Sequence, residues 1–171
     1  MNAIATWSPG GDLQTWATVM RMRRLARQGM VHPVVRRQAL EIVAGIPGRD
    51  ADAQIAALHQ WLARHSWFVR DPKIAELLVS PWQQLADLTR QGILTYDCDD
   101  AAMLAAALGG AIGLRARFVV VGFRSRSAPF RHVWTELSPP VRPPRWTALD
   151  VTRKSQRLPH LERRRWDVSV A

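Results

Sequence analysis

One stretch limits the architectures open to this chain more than any other: TYDCDDAAMLAAALGGAIGLRARFVVVGF, residues 95 to 123. From Cys98 to about Ile112 it is rich in helix formers. Ala101, Ala102, Ala105, Ala106, Ala107 and Ala111 add almost no bulk to that helix. A helix so slim can be approached from several sides at once, so it belongs at the centre of a fold. Gly109, Gly110 and Gly113 are expected to end it. The β-branched and aromatic run from Arg115 to Phe123 then suits a central strand.

Upstream, helical periodicity runs from about Leu13 to Gln28, with Leu13, Trp16, Val19, Met20 and Leu25 toward one face and Gly29 as the expected stop. A second helix is expected from Pro33, which suits a first turn, to Gly45 or Pro47. A third starts at Asp50 or Asp52 and carries Ile55, Leu58 and Leu62 on one stripe. Ser80 and Pro81 open a short helix through SPWQQLADL. Residues 1 to 12 read as extended and irregular, and WFVRDP, residues 67 to 72, as a short extended piece. Downstream, FRHVWTEL (130–137) alternates, with His132, Trp134 and Glu136 on one face and Val133, Thr135 and Leu137 on the other. RWTALDVT (145–152) reads as a further strand, and WDVSV as an edge strand.

Helices first, then a cysteine-bearing helix, then consecutive strands: this order predicts an α+β fold. The helical N-terminal half and the central helix would pack on an antiparallel sheet. One domain is expected over residues 1–171, with a helical lead-in over 1–90, a core over 91–152 and a basic tail over 153–171. A chain of 171 residues can bury a core of that kind.

Charge is unevenly placed. Lys and Arg number 24 against 14 Asp and Glu, for a net charge of +10. Arg21, Arg23, Arg24, Arg27, Arg36 and Arg37 fall in a stretch without acidic residues, and Arg153, Lys154, Arg157, Arg163, Arg164 and Arg165 cluster in the tail. Such patches suit nucleic acid or an acidic protein surface. A solvated helix face explains them equally, and no nucleic-acid motif accompanies them, so nucleic acid is not the favoured partner. A single cysteine excludes an intramolecular disulfide and suits a reducing compartment. With no signal-peptide pattern and no apolar run near 20 residues, a cytoplasmic protein without membrane partners is expected.

That cysteine sits at the first turn of its helix, where the macrodipole and unpaired amides favour thiolate. Asp97 suits the N-cap, and Asp99 and Asp100 the first turn, where carboxylates answer the same dipole. They also oppose a thiolate by like-charge repulsion, so a reactive Cys98 needs a basic partner. A small buried hydrophobe is the simpler reading of a lone cysteine. A metal site from Cys98, Asp97, Asp99 and a histidine lacks spaced Cys or His pairs, and no cofactor is expected. His132 and Asp150, on separate downstream strands, would supply a base and an orienting acid. Taken alone, each is also a plain strand residue.

Together these segments resemble the transglutaminase-like branch of the papain-like cysteine enzymes. DCDD and the G-L-R-A-R turn into a strand are similar to the family's nucleophile helix, HVWTEL to its H-A-W-x-E strand, and WTALDVT to its W-x-x-L-D-x-T strand. The match runs from about Tyr96 to Thr152. The resemblance implies Cys98 as nucleophile, His132 as general base and Asp150 as orienting acid, acting through a thioester. Tyr96 stands where the family commonly has glycine, where it could narrow access to the thiol. The backbone amide of Cys98 and the side chains of Trp82, Gln83 or Gln84 are candidates for the oxyanion hole, and Trp134 for the cleft wall.

WFVRDPKIAELLVSPWQQL is similar to the lead-in of compact phage and prophage members. The implied activity is amide or peptide hydrolysis, or acyl transfer, on a protein or peptide substrate. The alternative is a non-catalytic virion component that keeps the fold, docks on phage virion proteins and is virion-associated if phage-encoded.

Overall fold

In the computed structural model, which describes residues 3–6, 11–68, 76–123, 125–152 and 163–170, the slim helix α5 (Cys98–Ala111) is buried from Asp99 to Gly109. It touches the other four helices, α1 (Asp12–Val31), α2 (Pro33–Ile42), α3 (Ala51–His65) and α4 (Pro81–Gln91), and packs on one face of a sheet. Most of the SPGG turn, the end of WFVRDP, and Arg153, Lys154 and Arg157 of the basic tail lie outside the described residues.

Local chemistry sets the helix starts. Asp50 Oδ1 accepts from the Ala53 N–H at 3.0 Å and caps α3. Pro33 and Pro81 occupy first turns, where the missing N–H costs nothing. His32 caps α2 with its ring, Nδ1 accepting from the Val34 N–H at 3.3 Å. Gly92 closes α4 in the left-handed region at φ 74°.

The glycines expected to stop α1 and α5 do something else. Gly29 lies inside α1, and Gly109 and Gly110 lie inside α5. A Cβ on Gly29 would stand 2.9 Å from the Ala107 Cβ, one on Gly109 2.6 Å from Leu137, and one on Gly110 2.5 Å from Met30. These residues are small so that neighbours can close in. Gly113, at φ 88°, makes the turn after α5, with the Leu114 N–H donated back to the Gly109 carbonyl at 3.1 Å.

The sheet has four antiparallel strands in the order β7 (Thr147–Leu149), β6 (His132–Ser138), β5 (Arg115–Gly122), β8 (Arg164–Ser169). The expected edge strand is therefore present as β8, while β7 is shorter than the 145–152 span that was expected. Val133 and Leu137 on β6 join the main core under α5, and the Thr135 hydroxyl donates to the Ala102 carbonyl at 2.6 Å, fastening strand to helix. Met103, Leu104, Leu108, Phe118 and Leu137 are fully buried between them. Each such side chain stabilises by about 1.5–3 kcal/mol.

Two small strand pairs accompany the sheet among the described residues. β1 (Ala3–Thr6) runs antiparallel to β3 (Glu76–Val79), and β2 (Ser66–Phe68) runs parallel to β4 (Leu94–Tyr96). The β3 and β4 strands were not anticipated from sequence. β4 delivers the chain straight into α5 and so fixes where Cys98 begins.

Candidate active site

Cys98 opens α5 immediately after its N-cap, Asp97, whose Oδ1 accepts from the Asp100 N–H at 3.4 Å. Asp100 turns the other way: its Oδ1 accepts from the Val79 N–H at 2.7 Å. The Gln84 amide nitrogen donates to the carbonyls of Val79 (2.9 Å) and Asp100 (3.1 Å). The end of β3, the first turn of α4 and the first turn of α5, which Cys98 opens, are thus clamped together. Nothing in the sequence pattern marks this clamp, because its partners are backbone groups.

His132 begins β6 and Asp150 follows β7. Nε2 of His132 lies 2.6 Å from Oδ2 of Asp150, and both side chains are largely enclosed. Oδ1 of Asp150 accepts from the Thr152 N–H at 3.1 Å and from its hydroxyl at 2.7 Å. Burial works to raise the Asp150 carboxyl, but the bonds from His132 and Thr152 outweigh it and hold the group below its ordinary value. Ionised Asp150 favours the tautomer with its proton on Nε2, which leaves Nδ1 with a free lone pair.

Cys98 and His132 line one open cleft of about 680 Å³. Its other walls come from the first turns of α1, from the segment before β6, including Phe130 and Arg131, and from Arg164 on β8. Cys98 is a free, half-buried thiol. Burial, then the carboxylates of Asp99 and Asp97, push it well above its ordinary value, and Asp150 adds to the rise. The Val133 N–H, donated to the sulfur, works the other way. The expected pull of the helix N-terminus toward thiolate is thus outweighed.

The other expected site residues lie elsewhere. Trp82 stacks on His32 with centroids 5.1 Å apart, and Gln83 donates to Asp87 at 3.0 Å on its own helix. Trp134 packs with Val119 and Val121 in a second small cluster, its ring 5.7 Å from that of His132. None of the three is among the described residues lining the cleft. Tyr96 is buried in β4 and is likewise absent from that lining, with burial pushing its phenol up to about 12. No group of three or more His, Cys, Asp or Glu suited to a metal occurs among the described residues. No described helix is long and apolar enough to cross a membrane.

No family model matches this sequence, and no curated protein matches it. Among solved structures, the chain is similar to a "putative cysteine protease" from Cytophaga hutchinsonii, with a TM-score of 0.50 and 17% identity. The match covers 80% of this chain and 40% of that one, so the likeness spans well under half the length of the structural neighbour. At that identity the likeness is one of fold alone: a mixed α+β architecture with an antiparallel sheet.

Proposed function

We propose that this chain is a thiol enzyme that opens an amide or related acyl bond, with Cys98 as nucleophile, His132 as base and Asp150 as the group that orients the imidazole. One observation carries the reading: the 2.6 Å bond from His132 Nε2 to Asp150, on a histidine that shares its cleft with the cysteine. The fold of the "putative cysteine protease" neighbour supports it.

The chemistry follows from the protonation states. Because the resting thiol is held protonated, Cys98 attacks as Nδ1 of His132 removes its proton, forming the S–C bond and an oxyanion. The backbone N–H of Cys98, at the first helical position, is the natural donor to that oxyanion. The imidazolium then protonates the leaving nitrogen, the C–N bond breaks, and a thioester remains. Water, deprotonated by His132, releases the carboxylic acid and restores the thiol. A lysine amine in place of water would give a cross-link. Peptide or isopeptide hydrolysis is the favoured outcome.

A second reading is a docking protein that keeps the fold without turnover, of the virion type that the sequence resemblance suggests. The raised thiol favours it, as do the exposed Arg21, Arg24, Arg27, Arg36 and Arg37.

Acylation separates the two. The protein is exposed to p-nitrophenyl acetate, quenched and weighed intact. An acyl group on Cys98 that forms at least roughly tenfold faster in wild type than in His132→Ala supports the enzyme. Equal rates in the two proteins would leave the docking reading.

A further inference from the structure

Arg164 is the cleft residue whose chemistry the proposed mechanism leaves unused. It begins β8, opposite Gly122, while His132 begins β6, opposite Val121 on the other side of β5. Two interstrand steps and one residue of stagger put the two backbones about 10 Å apart. The one-residue stagger turns the two side chains toward opposite faces of the sheet, and both residues are part of the cleft lining.

The guanidinium is held in place. It lies 4.2 Å from the Phe130 ring centroid and 5.3 Å from that of Trp166, and Nη1 donates to the Ala128 carbonyl at 3.2 Å. Its side chain is 17% exposed, yet its ion-pair partner, Asp12 at the start of α1, is 57% exposed. A largely enclosed cation therefore depends on a counter-ion that sits at the wet mouth of the cleft. With its carboxylate this exposed, the pair is open to exchange, because water competes for the outer partner. Asp12 is itself held below the ordinary carboxylate value by the hydrogen bond from Arg164, so it is anionic at neutral pH. Arg131, exposed on the same cleft, adds a second positive charge.

We infer that Arg164 is a carboxylate-binding subsite of the cleft: it takes an acidic group of a peptide, and Asp12 fills that place when no substrate is bound. The inference rests on the reading of the cleft as a peptide site and names the class of peptide it takes. Phe130 and Trp166 fix the guanidinium plane, leaving its remaining N–H edge for a paired contact with a carboxylate. The carboxylate could belong to a glutamate side chain or to a peptide C-terminus.

The test is binding, which needs no turnover. Fluorescent pentapeptides blocked at both ends, carrying one Glu or its Gln twin at each position, are titrated by anisotropy against Cys98→Ala protein. A third set has a free C-terminus and no Glu. The expected result is that at least one acidic peptide binds roughly tenfold or more tighter than its neutral twin. That advantage should vanish in Cys98→Ala/Arg164→Met, and Asp12→Asn should strengthen acidic binding by removing the competitor. Preference for the free C-terminus over internal Glu would assign the terminal carboxylate as the ligand. Equal binding of all twins, no binding of any peptide, or an acidic preference that survives Arg164→Met, overturns the subsite. Should wild type fail to acylate while the acidic preference stands, the enzyme reading falls and the subsite does not.

Discussion

Asp150 is divided between two partners: Oδ2 meets His132 Nε2 at 2.6 Å, while Oδ1 takes both the N–H and the hydroxyl of Thr152. The Thr152 backbone N–H can only donate, so it dictates which way an amide would sit at position 150. In Asp150→Asn the carbonyl oxygen must face Thr152 and the NH₂ must face His132. The imidazole would then carry its proton on Nδ1, where it cannot accept one from the thiol. Asp150→Asn is therefore expected to lower the acylation rate more than Asp150→Ala, with the loss approaching about 10⁴-fold, the size known for this exchange in Ser-His-Asp triads. Stopped acylation assays on the two variants decide it, and an Asn variant more active than the Ala variant would refute the tautomer argument.

The same carboxylate gives the fold a pH dependence. Its folded value lies below the ordinary one, so the unfolded chain binds the proton more tightly. The stability it contributes is therefore complete above the ordinary carboxylate value of about 3.9 and is lost as pH falls below it, through the folded value. Urea midpoints of wild type and Asp150→Ala should differ at pH 6 and converge as the pH drops under about 4. A gap that stays constant would mean that His132 and Thr152 contribute nothing through the charge.

How much of this was readable beforehand depended on the range of the interactions involved. Four of the five described helices announce themselves through caps such as Asp50 and Asp97 and through first-turn prolines, all local signals, and α1, capped by Gly11, through its apolar periodicity alone. The long β5 and β6 strands show in their β-branched runs. β3 and β4, at four and three residues, carry no periodicity to read, and only pairing with distant strands defines them. Gly29, Gly109 and Gly110 misled because glycine serves both as a stop and as room for a neighbour, and the neighbours come from far along the chain. Cys98, His132 and Asp150 are each ordinary by residue type and position, and only the resemblance of their three segments, taken together, singled them out as a candidate triad. Where Trp82 and Gln83 point was not legible, since packing against His32 and Asp87 sets it.

Cys98 should respond to its flanking charges in a predictable direction. Asn caps a helix as well as Asp does, so Asp97→Asn removes a negative charge beside the sulfur and keeps the cap. Alkylation by iodoacetamide is expected to titrate above the ordinary thiol value of about 8.5 in wild type, and lower in Asp97→Asn. Asp99→Asn should lower it further, because Asp99 is the stronger of the two charges. A wild-type thiol that titrates at or below the ordinary value would show that the helix dipole and the Val133 N–H dominate after all.

Gln84 should matter for the site without touching it. The residue is 3% exposed, and its amide nitrogen donates to two carbonyls, of which that of Asp100, in the first turn of α5, is buried. Gln84→Ala leaves both without that donor, at about 1–3 kcal/mol. Gln84→Glu keeps the shape, removes the donors and brings a carboxylate against two carbonyls, which should be worse. Chemical denaturation orders the three proteins. If Gln84→Glu matches wild type, the clamp is not what holds the turn that Cys98 opens.

Gly29 and Gly110 give opposite expectations for the same substitution. Replacing a helical glycine by alanine ordinarily stabilises by about 0.5–1 kcal/mol, through the unfolded chain's entropy. At Gly29 the new methyl would meet the Ala107 Cβ at 2.9 Å and the Pro81 ring at 3.0 Å, both rigid, so α1 must back away from α5 and α4. Overpacking of that kind costs about 1–3 kcal/mol and reverses the sign. At Gly110 the obstacle is Met30 from Cγ (2.7 Å) to Cε (2.5 Å), an unbranched side chain that can swing aside as a whole about χ1, whereas Ala107 Cβ and the Pro81 ring cannot. Gly29→Ala should therefore lower the denaturation midpoint, while Gly110→Ala leaves it close to wild type. Equal losses at both positions would mean that the α1–α5 interface has no slack at Met30 either. Equal gains would mean that the helices lie further apart than a 2.9 Å approach allows.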